Sequence, residues 1–212
     1  PSSAASDVYK RQAYDSVFVV FRRPTTVSQV SIRPSTIRTV AQLGGNWSID
    51  FPIEGSSNLT VNSPLGSWTG QSNPELRYYA GTATYRREAK VDASWLANGQ
   101  RLILDLGTVA EVAEVRVNGK LAGTAWKPPY KVDITEFAKP GKNRIQVSVA
   151  NSWQNRFVGD LQEGARQHAW TNVASGGGFA LLGEGLKAST PLLPSGLLGP
   201  VQLVTLKEGQ AQ

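Results

Sequence analysis

The sequence predicts an all-β protein, built as an antiparallel β-sandwich or jelly roll. Three observations lead to this prediction: apolar residues alternate with polar ones along most of the chain, short turn sequences separate the alternating segments, and helical periodicity is scarce. Alternation with a period of two gives a strand one buried and one wet face, which is typical of antiparallel sheets. Many short strands at this spacing favour two packed layers of sheet over a fold in which helices connect parallel strands.

Four segments show the alternation most clearly. In each of them the apolar side chains fall on one face, and we expect that face to form an inner row of the sandwich. The four rows are Trp47, Ile49 and Phe51; Leu102, Leu104 and Leu106; Ala113, Val115 and Val117; and Ile145, Val147 and Val149.

The turn sequences between these segments agree with the strand prediction. Asn118-Gly119 is a strong signal for a two-residue hairpin, because both central residues of a type I′ turn need a positive φ. Pro140-Gly141-Lys142-Asn143 predicts a second tight turn directly before a strand. Asp92 is expected to cap a short helical turn that Asn98-Gly99 closes.

Four regions can be separated along the chain. Residues 1–12 are expected to be a non-native or disordered leader, since they lack the apolar core of a signal peptide. Residues 13–40 are expected to be remnant strands of a preceding domain, because Ser16–Phe21 is apolar on both faces and the linker-like stretch Pro34–Gln42 follows it. Residues 42–207 are predicted to form the sandwich, and residues 208–212 a tail.

The composition argues against several classes of protein. The net charge is 22 − 16 = +6, but the basic residues are scattered over predicted strands, so we expect a solvated surface and no nucleic-acid partner. No run of 18 apolar residues occurs, so no membrane span is expected. Without cysteine, the chain has no disulfide and no thiolate metal site. No cofactor is expected, and a structural calcium ion is left as an open alternative.

A series of motifs runs from Tyr78 to Asn151. In chain order they are GTATY at 81–85, LILDLG at 102–107, AEVRVNG at 113–119, PPYKVDIT at 128–135, GKN at 141–143 and VSVAN at 147–151. This order resembles the galactose-binding-like jelly roll known as the sugar-binding domain of family 2 glycoside hydrolases. The flanking motifs are SVFVVF at 16–21, LGSW at 65–68, NSWQNRFVGD at 151–160 and SGLLGPV at 195–201. They resemble the C-terminal region of α-L-rhamnosidases of glycoside hydrolase family 106.

The resemblance implies that the chain is an accessory domain of a larger hydrolase. In such enzymes the catalytic carboxylates lie on a (β/α)₈ barrel upstream, so no catalytic residue is carried over to this chain. The implied partners are carbohydrate and that barrel. The implied source is a bacterial enzyme, periplasmic or secreted, that acts on plant or complex polysaccharides.

The residues themselves also argue against catalysis by this chain. His168 is the only histidine and no Gly-x-Ser-x-Gly turn is present, so a Ser-His-Asp triad is not expected. A pair of carboxyl groups for glycoside hydrolysis cannot be singled out, and Asp105, Glu111 and Glu114 are interpreted as ordinary surface acids. Asp133 is expected to cap backbone N–H groups at a bend.

Two segments combine aromatic rings with polar groups, as a sugar site requires. The candidate residues for carbohydrate binding or interdomain contact are Trp126 and Tyr130 in the first segment, and Trp153, Asn155, Arg156 and Asp160 in the second. Each set has a structural alternative. Packing is the favoured interpretation of Trp153, whereas packing and ligand binding are equally typical of Trp126 and Tyr130. Arg156 with Asp160 is also typical of an ion pair that clamps a loop.

Three functions remain open on the sequence. The first is a scaffold domain of a rhamnosidase-like hydrolase, packed on the catalytic barrel. The second is an autonomous carbohydrate-binding module that holds an enzyme on its polymer. The third is a structural or adhesion sandwich without affinity for sugar. An apolar interdomain surface would favour the first, and exposed sugar-binding rings the second.

Overall fold

Twelve β-strands dominate the residues that the computed structural model describes, which are 35–53, 55, 57–166, 168 and 186–207. Two short helices, α1 (Pro74–Arg77) and α2 (Gln154–Asp160), and two 3₁₀ turns at Trp68–Gly70 and Ala93–Leu96 interrupt them. The strands are β1 (Thr36–Gln42), β2 (Trp47–Phe51), β3 (Leu59–Ser63), β4 (Thr82–Val91), β5 (Arg101–Asp105), β6 (Thr108–Ala110), β7 (Val112–Val117), β8 (Lys120–Ala125), β9 (Lys131–Asp133), β10 (Gly141–Ala150), β11 (Gly196–Gly199) and β12 (Gln202–Lys207).

The strands form two main sheets. A six-stranded sheet has the order β3-β2-β4-β10-β7-β8, a four-stranded sheet has the order β1-β12-β5-β9, and β11 pairs with β6 in a short third ladder. In the described part of the chain every strand pair is antiparallel. The all-β, antiparallel class predicted from the sequence is therefore confirmed.

One hydrophobic core lies between the two main sheets. The four predicted apolar rows all belong to it, with side chains that are 4% exposed or less. Val147 of the six-stranded sheet and Leu104 and Leu203 of the four-stranded sheet are all fully buried in the same cluster. Burial of each such side chain contributes about 1.5–3 kcal/mol of transfer free energy. The alternating apolar residues therefore provide the main hydrophobic stabilisation between the two layers.

Two of the three predicted turns are confirmed, whereas Gly141, Lys142 and Asn143 of the third already belong to β10 and pair with β4. Asn118 and Gly119 have φ values of 53° and 84°, as a type I′ hairpin requires. The Asp92 carboxylate accepts a hydrogen bond from the backbone N–H of Ser94 at 2.8 Å and caps the turn Ala93–Leu96. Asn98 and Gly99 follow with φ values of 57° and 68° and close it.

The stretch predicted as a linker differs from the prediction. Residues 36–42 form β1, which pairs with β12 at the edge of the four-stranded sheet. Most of its side chains are exposed. A strand at a sheet edge with most side chains in solvent has no need of apolar alternation, so its sequence lacks the pattern that predicted the other strands. The leader 1–12, the segment Ser16–Phe21 and the tail 208–212 lie outside the described residues, and the assignment of 13–40 to a preceding domain stays a prediction.

None of the described helices has the length and apolar composition that crossing a bilayer would require.

Candidate functional site

Both segments singled out by the sequence lie at one end of the six-stranded sheet. Val149 of β10 lies opposite Ala113 of β7, and Ala113 lies opposite Ala125, the last residue of β8. The ends of β8 and β10 are therefore about two strand spacings apart, roughly 10 Å. Trp126 follows β8 directly, and the residue before α2, which follows β10, is Trp153. We call this end, marked by Trp126 and Trp153, the tryptophan end.

Trp126 projects from the loop between β8 and β9. Its side chain is 67% exposed, and the Nζ of Lys127 lies 6.0 Å from the centroid of its ring. Tyr130 at the other end of the loop is half-buried and packs on the core, and its carbonyl accepts a hydrogen bond from the backbone N–H of Leu106 at 2.8 Å. The loop thus has one anchored aromatic residue and one that faces solvent.

An acidic residue lies between the two candidate segments. Glu111 precedes β7 at the tryptophan end, is exposed, and donates its backbone N–H to the carbonyl of Ala150 at 2.9 Å. Because β7 lies between β10 and β8 in the sheet, Glu111 lies between the end of β10 and Trp126. An exposed indole with an ammonium and a carboxylate nearby is the combination that a sugar ring and its hydroxyl groups can use.

The four candidate residues of the second segment point in two directions. Trp153 is 54% exposed, and its ring lies 6.3 Å from that of Phe157. Asn155 and Arg156 are only 2% and 8% exposed. The side chain of Asp160 is 8% exposed. The structure therefore separates Trp153 from the three polar residues that the sequence grouped with it.

Asn155 is fully engaged by the protein itself. Its Nδ2 donates to the carbonyl of Leu193 at 2.7 Å and to the Oγ of Ser195 at 2.8 Å, and its Oδ1 accepts from the backbone N–H of Leu193 at 2.8 Å. Asn151 also donates to the Oγ of Ser195, at 3.3 Å. These contacts fasten α2 to the segment that leads into β11, so Asn155 has a structural role.

Arg156 and Asp160 belong to a charged network with two residues from elsewhere. The backbone N–H of His168 donates to Asp160 at 2.9 Å, and the Nδ1 of His168 lies 3.2 Å from Asp160 and 3.3 Å from Arg156. Glu75 lies 3.8 Å from Arg156 and 3.9 Å from the Nε2 of His168. The network connects α1 with α2, and His168 contacts both Arg156 and Asp160.

Sequence reasoning missed Glu75, although a signal for its position exists. Asn73-Pro74 is a typical start of a helix, with an amide at the cap and proline in the first turn. In the structure the Oδ1 of Asn73 accepts the backbone N–H of Glu75 at 3.0 Å. The pattern predicts where α1 begins, but only the folded chain brings Glu75 beside α2.

Beneath this end lies a group of buried aromatic residues. Phe51, Trp68 and Tyr79 pack edge to face, with ring centroids 5.2–5.4 Å apart. Burial raises the pKa of Tyr79, and the positive charge of Arg156 opposes that shift. Burial also raises the pKa of Tyr85 to about 12, against the hydrogen bonds that its oxygen receives from the Leu197 N–H and from Trp68. Both phenols are therefore neutral structural groups.

The acids named in the sequence analysis are used in surface contacts. Asp105 accepts the Gly107 N–H at 3.0 Å and pairs with Lys131 at 3.2 Å, and Glu114 pairs with Arg116 at 2.9 Å. Their interpretation as surface acids fits these contacts.

Asp133 caps the backbone as expected. Its Oδ1 accepts the N–H of Thr135 at 3.0 Å, and its Oδ2 accepts from Arg101 at 2.7 Å. Partial burial acts to raise the pKa of Asp133, but the hydrogen bonds from Thr135 and Arg101 outweigh it and hold the pKa below its usual value.

No cluster of three or more His, Asp or Glu side chains in the described ranges is arranged to hold a metal ion. A calcium site built from backbone carbonyls stays a prediction.

Comparison with known proteins identifies a family that matches this chain. The model of the family described as "Glycosyl hydrolases family 2, sugar binding domain" matches residues 48–170, which are more than half of the chain. A protein named "Putative beta-glucuronidase" from Formosa agariphila is 39% identical over 136 residues, which cover 61% of this chain and 11% of that protein.

Solved structures give the same architecture. A rhamnosidase from Novosphingobium sp. PP1Y matches at 35% identity with a TM-score of 0.75, over 87% of this chain and 17% of that chain. A β-D-glucuronidase of Dictyoglomus thermophilum matches at 21% identity with a TM-score of 0.52, over 81% of this chain and 28% of that one. At that lower identity the likeness shows the fold alone.

The chain thus spans about a tenth of the curated relative and about a sixth of the rhamnosidase. The family match over more than half of the sequence agrees with the antiparallel sandwich and with the motif order from Tyr78 to Asn151. This chain belongs to the sugar-binding domain family of family 2 glycosyl hydrolases.

Proposed function

We propose that this chain is a non-catalytic, carbohydrate-binding accessory domain of a larger glycoside hydrolase related to α-L-rhamnosidases. Its family membership supports the hydrolase context, and its small share of the relatives' lengths supports a parent of several domains. Catalysis belongs to a (β/α)₈ barrel elsewhere in that parent. The jelly-roll assignment and a domain end at residue 207 are part of the proposal, and the domain includes β1, which pairs with β12.

Two relatives suggest different substrates for the parent. The rhamnosidase covers 87% of this chain at 35% identity, whereas the glucuronidase-named protein covers 61% at 39% identity. We favour the rhamnosidase relationship because it extends over more of the chain. A parent that hydrolyses an aryl glucuronide and leaves the aryl rhamnoside intact would contradict it.

The periplasmic or secreted location follows from this proposal. Plant and complex polysaccharides are too large to enter a bacterial cell intact, so a domain that binds them works outside the cytoplasm. Fractionation of cells that express the parent tests this, and retention of the parent in the cytoplasm would contradict it.

The exposed Trp126 is the observation that carries the carbohydrate proposal. Its ring is 67% exposed at the end of a sheet, on a loop whose other end is anchored by the half-buried Tyr130. A large apolar ring on a fixed loop is ready to stack on the C–H face of a sugar without further ordering. Lys127 and Glu111 supply polar groups of both signs at the same end.

Affinity electrophoresis of the isolated chain in gels that contain a rhamnose-bearing polysaccharide tests the proposal. We expect retention of the wild type and at least tenfold weaker binding by Trp126→Ala, which corresponds to about 1.4 kcal/mol. Leu121→Ala is the matched control, because Leu121 is 48% exposed on the preceding strand and offers no ring. The control should bind as the wild type does.

The two alternatives predict other outcomes. Tight binding by the isolated chain, with a parent whose hydrolysis of small soluble substrates does not depend on this domain, would favour the autonomous binding module. Equal migration of wild type and Trp126→Ala in every polysaccharide gel would favour the structural sandwich and refute the sugar contact.

A further inference from the structure

Helix α2 presents an apolar stripe to solvent. Trp153, Phe157 and Leu161 follow one another at intervals of four residues, which places them on one face of a helix. The backbone at both flanking positions, 153 and 161, has helical dihedral angles, so the spacing holds beyond the seven residues of α2 itself. Trp153 and Leu161 are 54% and 49% exposed. We call these three residues, together with Leu193, the α2 stripe.

Leu193 is another exposed apolar residue, on the segment that is tied to α2. It is 40% exposed, and both of its backbone polar groups bond to the side chain of Asn155 on α2. Three of the seven large apolar side chains that the described residues expose thus belong to one helix and the segment tied to it. Clustering of this kind, unlike scattered exposed leucines, marks an interaction surface.

The opposite face of α2 is fixed to the sandwich. Asn155, Arg156, Val158 and Gly159 are all buried. Gly159 lies so close to Tyr78 that an added Cβ would be 2.6 Å from the Cβ of that residue. A helix held this closely on one side presents its other side with little loss of entropy on binding.

Three polar side chains of α2 are turned away from the stripe and are engaged by the protein itself. Asn155 bonds to Leu193 and Ser195, Arg156 contacts Glu75 and His168, and Asp160 accepts the backbone N–H of His168. A sugar site needs hydroxyl partners beside its ring, and charged residues of both signs, Lys127 and Glu111, lie at the end of the sheet that carries Trp126. The stripe is therefore better suited to an apolar protein surface.

We propose that the α2 stripe is the contact surface for the catalytic part of the same parent polypeptide, an inference that rests on the proposed function. The chain covers only 17% of the rhamnosidase and 11% of the glucuronidase-named relative, so each of those proteins holds a much larger body of chain beside this domain. Interdomain contacts of about 600–1,500 Å² combine an apolar centre with a polar rim.

Hydrogen exchange measured on the parent enzyme and on the isolated chain tests the inference. We expect the amides of residues 154–161 to exchange at least tenfold more slowly in the parent, because a docked domain suppresses opening of the helix. Trp153→Ser with Leu161→Ser should abolish this difference. The matched control, Ile37→Ser with Leu121→Ser, removes two other exposed apolar side chains and should preserve it.

The isolated double variant shows whether the substitutions act on the interface or on the fold. Serine is a favoured residue at the N-cap position that Trp153 occupies, so the melting temperature of the isolated chain should change by no more than about 2 °C. A larger loss in the isolated chain would overturn the inference, because the stripe would then belong to the domain's own core.

Other outcomes would also overturn it. One is that the amides of α2 exchange at the same rate in the parent and in the isolated chain. Another is that the isolated chain is a dimer and that the double substitution dissociates it, since the stripe would then bind a second copy. A third is that Trp153→Ser alone abolishes polysaccharide binding, since the stripe would then be part of a sugar site. A reading frame that encodes no hydrolase barrel would overturn the proposed function. A parent that has the barrel but leaves α2 unprotected would overturn only the docking inference.

Discussion

Replacement of Tyr85 by phenylalanine tests how the sandwich is held together beneath the tryptophan end. Tyr85 is fully buried in β4, and its oxygen accepts hydrogen bonds from the Trp68 indole at 2.6 Å and from the Leu197 backbone N–H at 3.0 Å. Phenylalanine fills nearly the same volume but leaves both donors without a partner. A buried donor that loses its acceptor costs about 1–3 kcal/mol, so we expect a loss of roughly 2–5 kcal/mol in the free energy of unfolding.

Tyr79→Phe is the control for this experiment. The hydroxyl of Tyr79 donates to the carbonyls of Pro52 and Thr82, at 3.1 and 3.4 Å. Carbonyl oxygens tolerate a missing partner better than N–H groups, so this variant should lose only about 1 kcal/mol. Urea unfolding at pH 7, followed by tryptophan fluorescence and circular dichroism, measures both. A Tyr85→Phe variant as stable as Tyr79→Phe would refute the reasoning.

The pH dependence of the same variant gives a second test. Burial raises the pKa of Tyr85 to about 12, above its value in the unfolded chain near 10. The unfolded state therefore ionises first, and stability that the neutral phenol contributes is present below pH 10 and falls between about pH 10 and 12. Phenylalanine does not ionise, so the penalty of Tyr85→Phe should shrink over this range, by at most about 1.4 kcal/mol for each pH unit.

Three further predictions follow from the described contacts. Asn155→Ala should lower the free energy of unfolding by about 1–3 kcal/mol in a urea titration, because it leaves the partly buried backbone groups of Leu193 unpaired. An unchanged midpoint would contradict its structural role. Gly159→Ala should lower the melting temperature by several degrees, since its Cβ would meet Tyr78 at 2.6 Å, and wild-type melting would show that α2 is not held closely. Asp133→Asn should cost about 1 kcal/mol at pH 7, a value kept small by solvent screening. Because the pKa of Asp133 is lowered in the fold, that cost should disappear as the pH falls through this lowered pKa and the wild-type carboxylate is protonated, and a cost independent of pH would refute the assignment.

The inner face of the sandwich was predictable because one periodicity encodes it. Residues such as Val147 and Leu104 are apolar at every second position, and burial of that face is the largest favourable term in folding. The Asn118-Gly119 turn was predictable for a similar reason, since its positive φ values restrict the residues that can occupy it.

The candidate site was predictable only in part. The sequence identified Trp126 and Trp153 as aromatic residues in loops, and the structure exposes both at one end of the six-stranded sheet. It could not distinguish Asn155 as a buried clamp from a ligand-binding amide, because the partner carbonyl of Leu193 lies 38 residues away. The residue type fixes which interactions a side chain can form, and its neighbours in the folded chain determine which of them it does form.

The sequence by itself determined the class of the fold, the facing of its main strands and the family to which the chain belongs. The tertiary structure decided that residues 36–42 form an edge strand and that Glu75 meets Arg156. It also decided that α2 buries Asn155 and Arg156 and exposes Trp153 and Leu161. The physical reason is the range of the interactions. Alternation and turn geometry act between residues close in the chain and leave a local pattern, whereas strand pairing at an edge, ion pairs and helix docking join segments far apart in sequence and leave none.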